Sequence, residues 1–306
     1  MDDELTGLLS SGERAAFHGR PAAGIPPLER ARELARGGDR EAEATAADWL
    51  LGVCLTAAGR YGSALQVLRP LAEHAPQEPE RRVFAALAAA TMASVYRQMG
   101  RHAEGREHDS RALDLAEHAA EAQFDAHLGL AADAVGLGDI ATAGTELGQA
   151  VRLAEGRREW WRQRVRLDWV RAEVDLLGDD ADAARGHAES AIALAEHSGA
   201  PRHVAKGLLF LGVAQVQSGQ NEDAADTLRR SASLAESLGA LPLVWPARAV
   251  LSALLAGSGP EESQRCLAVA RQAVRRIAED LDPTDREAWL ARPDVAAVLT
   301  EVADGG

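Results

Sequence analysis

Lysine is almost absent from this chain: of its 33 basic residues only Lys206 is one. Cysteine, methionine and phenylalanine are scarce too, at two, three and four in 306 residues. Each shortage excludes something. Cys54 and Cys266 lie far apart in apolar, helix-forming surroundings and form no CxxC pair, so no disulfide framework is expected and both should be buried, reduced thiols. The preference for arginine reflects a GC-rich coding bias rather than selection for phosphate recognition. No stretch approaches about 18 uninterrupted apolar residues, so no membrane span is expected. The opening MDDELTGLLSSGERAAF lacks a basic segment followed by an apolar run, so it does not read as a signal peptide, and a cytoplasmic location is expected. Acidic residues outnumber basic ones 47 to 33, for a net charge of −14, a field that repels phosphate backbones and anionic lipid. Nucleic-acid and membrane partners are therefore not expected. Sparse β-branched and aromatic residues, against abundant alanine, leucine, arginine and glutamate, predict an all-α fold.

Length alone would suggest about two globular domains, but the chain is periodic. Glycines interrupt helical patterns at Gly19, Gly59, Gly100, Gly138, Gly178, Gly219 and Gly257, at steps of 40, 41, 38, 40, 41 and 38 residues. Each follows an apolar helical stretch and precedes a second amphipathic one, which reads as helix, tight turn, helix. A second marker keeps phase with the first. Leu34, Leu115, Leu153 and Leu234 each stand fifteen residues after their glycine, and each is followed by alanine. Leu194 stands at sixteen, which implies one extra residue in the GDDAD turn, and Leu71 at twelve. Two markers in phase predict a helical-hairpin solenoid of about seven units, each touching only its neighbours.

The interior of the units narrows the type. LLGVCLTAAGRYGSALQVLRPLAEHAP places Leu51-Gly52, Gly59, Tyr61, Ala64, Leu68 and Pro76 in an order that resembles the tetratricopeptide repeat. Leu211-Gly212, Gly219 and Ala224 repeat part of it, as do Leu130-Ala131, Gly138 and Ala143, and Ala93, Tyr96, Gly100 and Gly105. In the unit around Gly178, Arg171 falls where a small residue is expected. The resemblance spans about residues 13–281 and implies a right-handed superhelix whose concave groove is lined by the first helix of each pair. Units near forty residues that end on "LAE" are similar to the sensor regions of large bacterial transcription activators, which bind ligands or regulatory proteins. Tetratricopeptide domains that clamp a chaperone's terminal carboxylate use lysines and asparagines in the groove. The corresponding positions here hold Ala46, Trp49 and Val53, then Leu87, Ala90 and Ser94, so that mode is not expected.

The solenoid is assigned to residues 1–281 and a capping segment to 282–306. In the cap, Asp282 can N-cap a helix with Pro283 at its first position, and helices near 284–291 and 294–302 would lay Trp289, Leu290, Val295, Val298 and Leu299 over the last hairpin. The first hairpin, 4–18 with 26–36, is interrupted by GRPAAGIPP and is expected to fray.

Catalytic chemistry has no signature here. His102 and His108 are six apart, which suits no helical metal pair, while His74, His118 and His197 fall at the ends of second helices, where histidine meets the last carbonyls. Gly136-x-Gly138 follows no strand, and Asp179-Asp180-Ala-Asp182 occupies a turn. No enzyme activity, metal or cofactor is expected.

One stretch stands apart. GRREWWRQRVRLDWVR, residues 156–171, holds three of the six tryptophans among a cluster of arginines. On the glycine register, Arg158, Trp161, Arg162, Val165, Asp168 and Trp169 follow one another along one helical stripe, with Trp160 off it in the core. The next unit's stripe is Lys206, Leu209, Phe210 and Val213. Two readings remain open: inter-repeat packing with arginines folded around it, or an aromatic and guanidinium platform with an apolar floor, of the residue types enriched at binding hot spots. The second predicts a non-catalytic scaffold or regulator that binds a protein or peptide, preferably acidic, in its groove. A freestanding small-molecule or signal-peptide sensor is the alternative. A long open groove would suit the first and a closed pocket with converging polar groups the second.

Overall fold

A computed structural model describes residues 2–73 and 78–300, and every regular element among them is helical. Seven antiparallel pairs follow in order: α1 (Asp2–His18) with α2 (Ile25–Gly37), α3 (Glu41–Ala58) with α4 (Tyr61–Glu73), and α5 (Pro79–Gln98) with α6 (His102–Ala116). They continue as α7 (Ala120–Gly136) with α8 (Ile140–Ala154), α9 (Trp161–Leu177) with α10 (Ala181–His197), α11 (Pro201–Gln217) with α12 (Asn221–Leu238), and α13 (Leu241–Leu255) with α14 (Pro260–Glu279). Two short helices, α15 (Pro283–Ala291) and α16 (Pro293–Leu299), complete the fold. His74, Pro76 and the last six residues of the capping segment lie outside the described residues.

The turns inside hairpins two to six each carry one left-handed residue, and its identity sets the register. Gly59, Gly100, Gly138 and Gly219 take positive φ at +73° to +81°. In the fifth hairpin that role belongs to Asp179, at φ 59°, and not to Gly178, at φ −84°. This accounts for the extra residue before Leu194, which stands fifteen after Asp179. It also corrects the placing of Arg171. Seven residues before the turn residue come Gly52, Ala93, Ala131, Ala172 and Gly212, so Ala172 is the small residue, fully buried against Ala184 and Ala214. Arg171 is displaced from the helix contact and pairs with Asp168 at 3.1 Å. Five residues after the turn stand Ala64, Gly105, Ala143, Ala184 and Ala224, and the four alanines are fully buried. Small residues on both helices let the backbones approach. A methyl group added to Gly52 would stand 2.3 Å from the Leu68 side chain, so any larger residue would push the hairpin apart.

The first hairpin packs rather than frays. Pro21–Gly24 forms a single 3-10 turn between its helices, with Pro21 and Gly24 buried, and Leu5, Ala16 and Leu28 are among the most enclosed side chains. Gly24 is fixed by crowding, since a Cβ there would stand 2.7 Å from the Cys54 sulfur.

Stacking is not confined to neighbours. Helix α1 touches α11, and α3 touches α13, each a contact five hairpins apart. His18 Nδ1 lies 3.3 Å from the Gly199 carbonyl, and Arg202 donates to the Ala16 carbonyl at 3.3 Å. Asp280, after α14, accepts from the Ser63 amide at 2.8 Å and from the Ser63 hydroxyl at 2.6 Å. The capping helices continue the pattern: Arg292 donates to the Gln98 carbonyl and Arg101 pairs with Asp285. Trp289, 1 % exposed, meets Tyr61 edge-on at 6.1 Å and Trp245 at 5.9 Å. The superhelix thus closes on itself. The capping helices form where the sequence places them, with Asp282 accepting from the Asp285 amide at 2.9 Å, but they seal hairpins two and three as well as hairpin seven.

Candidate functional site

Closure turns the concave face into a central cavity of about 530 Å³. All seven first helices contribute. Phe17 comes from α1, Trp49 and Val53 from α3, and Ala90, Ser94 and Arg97 from α5. Asp125 and Leu128 come from α7, and Arg162, Arg166, Trp169 and Glu173 from α9. Helix α11 supplies Arg202, His203, Lys206, Leu209 and Phe210, α13 supplies Pro242, Trp245 and Pro246, and Arg292 reaches in from the joint of α15 and α16. An acidic protein therefore encloses a cavity with six cationic side chains and two carboxylates on its wall.

These cations differ in their partners. Arg97 donates to Asp109 Oδ2 at 2.9 Å and to the Gly129 carbonyl at 3.0 Å, and lies 2.6 Å from Asp133. Both carboxylates are fully buried. Burial works against the Arg97 charge, but the two aspartates outweigh it and hold its pKa above the usual arginine value. Arg162 pairs with Glu121 at 3.0 Å and Asp125 at 3.7 Å, and Arg166 pairs with Asp125. Among the described residues, Arg202 and Lys206 form no ion pair, and Arg202 Nε has no hydrogen-bond partner. Burial pulls Arg202 down to about 10, with repulsion from Arg162 and Arg166 adding to the effect, and it also lowers Lys206.

Aromatic rings link these cations to the contact between hairpins one, five and six. Trp161 lies between His18 and His203, with ring centres 5.2 Å from each. His203 in turn stacks on Trp169 at 5.2 Å, and the Lys206 ammonium sits 4.7 Å from the centre of the Trp169 ring. His203 is 2 % exposed, and its Nδ1 has no partner. Burial and then the positive charges of Arg202, Arg162, Arg166 and Lys206 hold it well below the ordinary histidine range, so the ring is neutral.

The residues singled out in the sequence divide into three groups. Arg162, Trp169, Lys206, Leu209 and Phe210 line the cavity together. Trp161 is half-buried at the closure contact, beside the cavity. Val165 is fully buried and packs with Ala191 and Val204, while Asp168 is directed to α10, where it accepts from Ser190 at 2.8 Å. Arg158 is exposed before α9, and Val213 lies further along α11, outside the lining. Trp160 packs in the core, edge-on to Phe124 at 5.8 Å. Arg166, Arg202 and His203 were missed. A register counted from Asp179 would have found two of them, because Arg162 and Arg202 stand seventeen before their turn residues, and Arg166 and Lys206 thirteen before.

No protein-family model and no curated protein sequence matches this chain. Solved structures do. A Rap protein complexed with competence and sporulation factor superposes with a TM-score of 0.64 over 97% of this chain and 80% of its own, at 12% identity. The Rap conjugation gene regulator of the plasmid pLS20, in complex with the Phr* peptide, gives 0.62 over 96% of each chain, also at 12% identity. A signal transduction ATPase with a tetratricopeptide repeat sensor, from Pyrococcus horikoshii, gives 0.53 over 90% of this chain and 41% of its own, at 13% identity. At such identities the likeness is one of fold, and the fold is a helical solenoid of the tetratricopeptide type.

Proposed function

We propose that this chain is a non-catalytic regulatory protein that binds a peptide, or a peptide-like segment of a protein, in its central cavity. The observation that carries the reading is the convergence of seven first helices on one aromatic-walled cavity that holds polar groups without partners. Its volume falls within the range of small-ligand sites. Two structures with this fold contain a peptide or signalling factor, which supports the same use here. A cavity walled by all seven first helices, in place of a long groove, also favours the second reading, a small-molecule sensor. Neither needs a catalytic group, a cofactor or a metal.

The test is selection from a random hexapeptide library against the purified protein and an Ala90→Phe variant, which fills the cavity from α5. Selected peptides should bind the wild type at micromolar concentration or below and the variant at least about tenfold more weakly, with an unchanged helical signal. Failure to select any peptide, or affinity indifferent to the filled cavity, removes the peptide reading.

A further inference from the structure

Three neighbouring helices carry charges at the same two register positions, seventeen and thirteen residues before the turn. On α7 these are Glu121 and Asp125, on α9 Arg162 and Arg166, and on α11 Arg202 and Lys206. The acidic pair of α7 answers the basic pair of α9, with Asp125 alone in contact with both arginines. Among the described residues, no carboxylate pairs with the two cations on α11. The next first helix, α13, turns Pro242 and Pro246 to the cavity, and neither can carry charge. Glu173 lies near enough to influence Lys206 but forms no ion pair with it. The Cys54 thiol near Arg202 gives no compensation, because burial pushes it up to about 12 and keeps it neutral. Beside this pair the indole N–H of Trp169, a residue 94 % buried, has no acceptor.

We infer that Arg202 and Lys206 form the subsite for a carboxylate group of the cavity's ligand, with the Trp169 N–H as a further donor. This rests on the reading of the cavity as a binding site. The molecule itself supplies the template, since the basic pair one hairpin earlier is already met by carboxylates of α7, with Asp125 within ion-pair reach of both arginines and Glu121 accepting from Arg162. A ligand carboxylate would take the place that an acidic pair on α13 would otherwise fill. The surroundings favour a carboxylate on an apolar body over a free inorganic anion, because Phe210, Trp169 and Trp245 wall the same space and would be left uncovered by a small hydrated ion. Two sources fit this chemistry, the free end or acidic side chain of a peptide and a small organic acid.

The experiment compares acids with their amides. Hexanoate and hexanamide are titrated while tryptophan emission and melting temperature are followed, and any peptide selected above is tested as free acid and C-terminal amide, with each Asp or Glu also changed to Asn or Gln. The carboxylate form should bind about tenfold or more tightly than its neutral counterpart. In Arg202→Gln and Lys206→Met the two forms should bind alike, and both unliganded variants should melt no lower than the wild type. Equal binding of acid and amide by the wild type overturns the subsite, as does a preference that survives in both variants. A peptide bound without acid preference refutes the subsite and leaves peptide binding standing. A preference shown for hexanoate alone, with no peptide selected, upholds the subsite, assigns the carboxylate to a small acid and refutes the peptide reading. Saturable binding of inorganic phosphate with no response to hexanoate, the peptide acids or their amides overturns the carboxylate assignment.

Discussion

Hairpins three and six both enclose cations beside the central cavity, on opposite terms. Arg97 belongs to an ion-paired network, in which its Nη1 meets two fully buried aspartates and a backbone carbonyl, though Asp109 Oδ1 and Asp133 Oδ2 keep no hydrogen-bond partner of their own. Arg202 and Lys206 sit at similar depth with one carbonyl between them. A buried cation with its counter-charges resists removal of any member, whereas a buried cation without them costs stability that a ligand can return. The comparison separates a structural charge from one held ready for a partner, although both are basic residues on the same inner wall.

The largest expected effect tests the finished side. Arg97→Ala leaves Asp109 and Asp133 facing each other in the core and should cost about 3–5 kcal/mol in urea denaturation. A loss below about 1 kcal/mol would erase the contrast. Trp161→Ala comes next. The side chain is half-buried between His18 and His203, so its removal should cost about 2 kcal/mol, less than the 3–5 expected of a fully enclosed aromatic. The loss should fall on the contact between hairpins one, five and six, seen as faster amide exchange at the end of α1.

The third prediction sharpens the unfinished side through pH. His203 has a folded pKa below its unfolded value, so the unfolded chain takes up a proton first as pH falls. Stability should therefore decline below about pH 6.5, by at most about 1.4 kcal/mol per pH unit from this group. His203→Phe should flatten that limb of the profile while keeping the stack on Trp169. An unchanged slope in the variant would show that the ring does not feel the surrounding cations. The smallest effect is a gain: Lys206→Met, without ligand, should stabilise by about 0.5–1 kcal/mol by removing an unpaired buried charge.

Much of the fold was legible because it is local. Turn glycines, small residues at the helix contact and an aspartate before Pro283 are read within one hairpin, and they gave seven pairs and two capping helices. The glycine rule did not hold at the two ends, where Gly19 and Gly257 are not left-handed, and it failed in the fifth hairpin, where Asp179 beside Gly178 takes the left-handed conformation. That single residue misplaced Arg171 and hid the match between Arg166 and Lys206. The site was legible only where the stripe pattern reached it, at Arg162, Trp169, Lys206, Leu209 and Phe210. Arg202 meets α1, 186 residues earlier in the chain, and His203 lies against Trp161 and Trp169 of the preceding hairpin; no local pattern reports either approach. Closure depends on small rotations between hairpins that accumulate over five units, which periodicity does not measure.

Repeat proteins commonly evolve by duplicating or losing units, since each new unit finds the same neighbour as the old one. Here that freedom is gone. His18 needs Gly199 and Trp161, Ser63 needs Asp280, and the Gln98 carbonyl needs Arg292, each across a gap of four or five hairpins. One inserted unit between hairpins three and five would present each of these residues to the wrong partner. The number of repeats is therefore fixed by specific long-range pairs, as the number of blades is in a closed ring, and change in this protein should come by substitution on the cavity wall rather than by growth of the array.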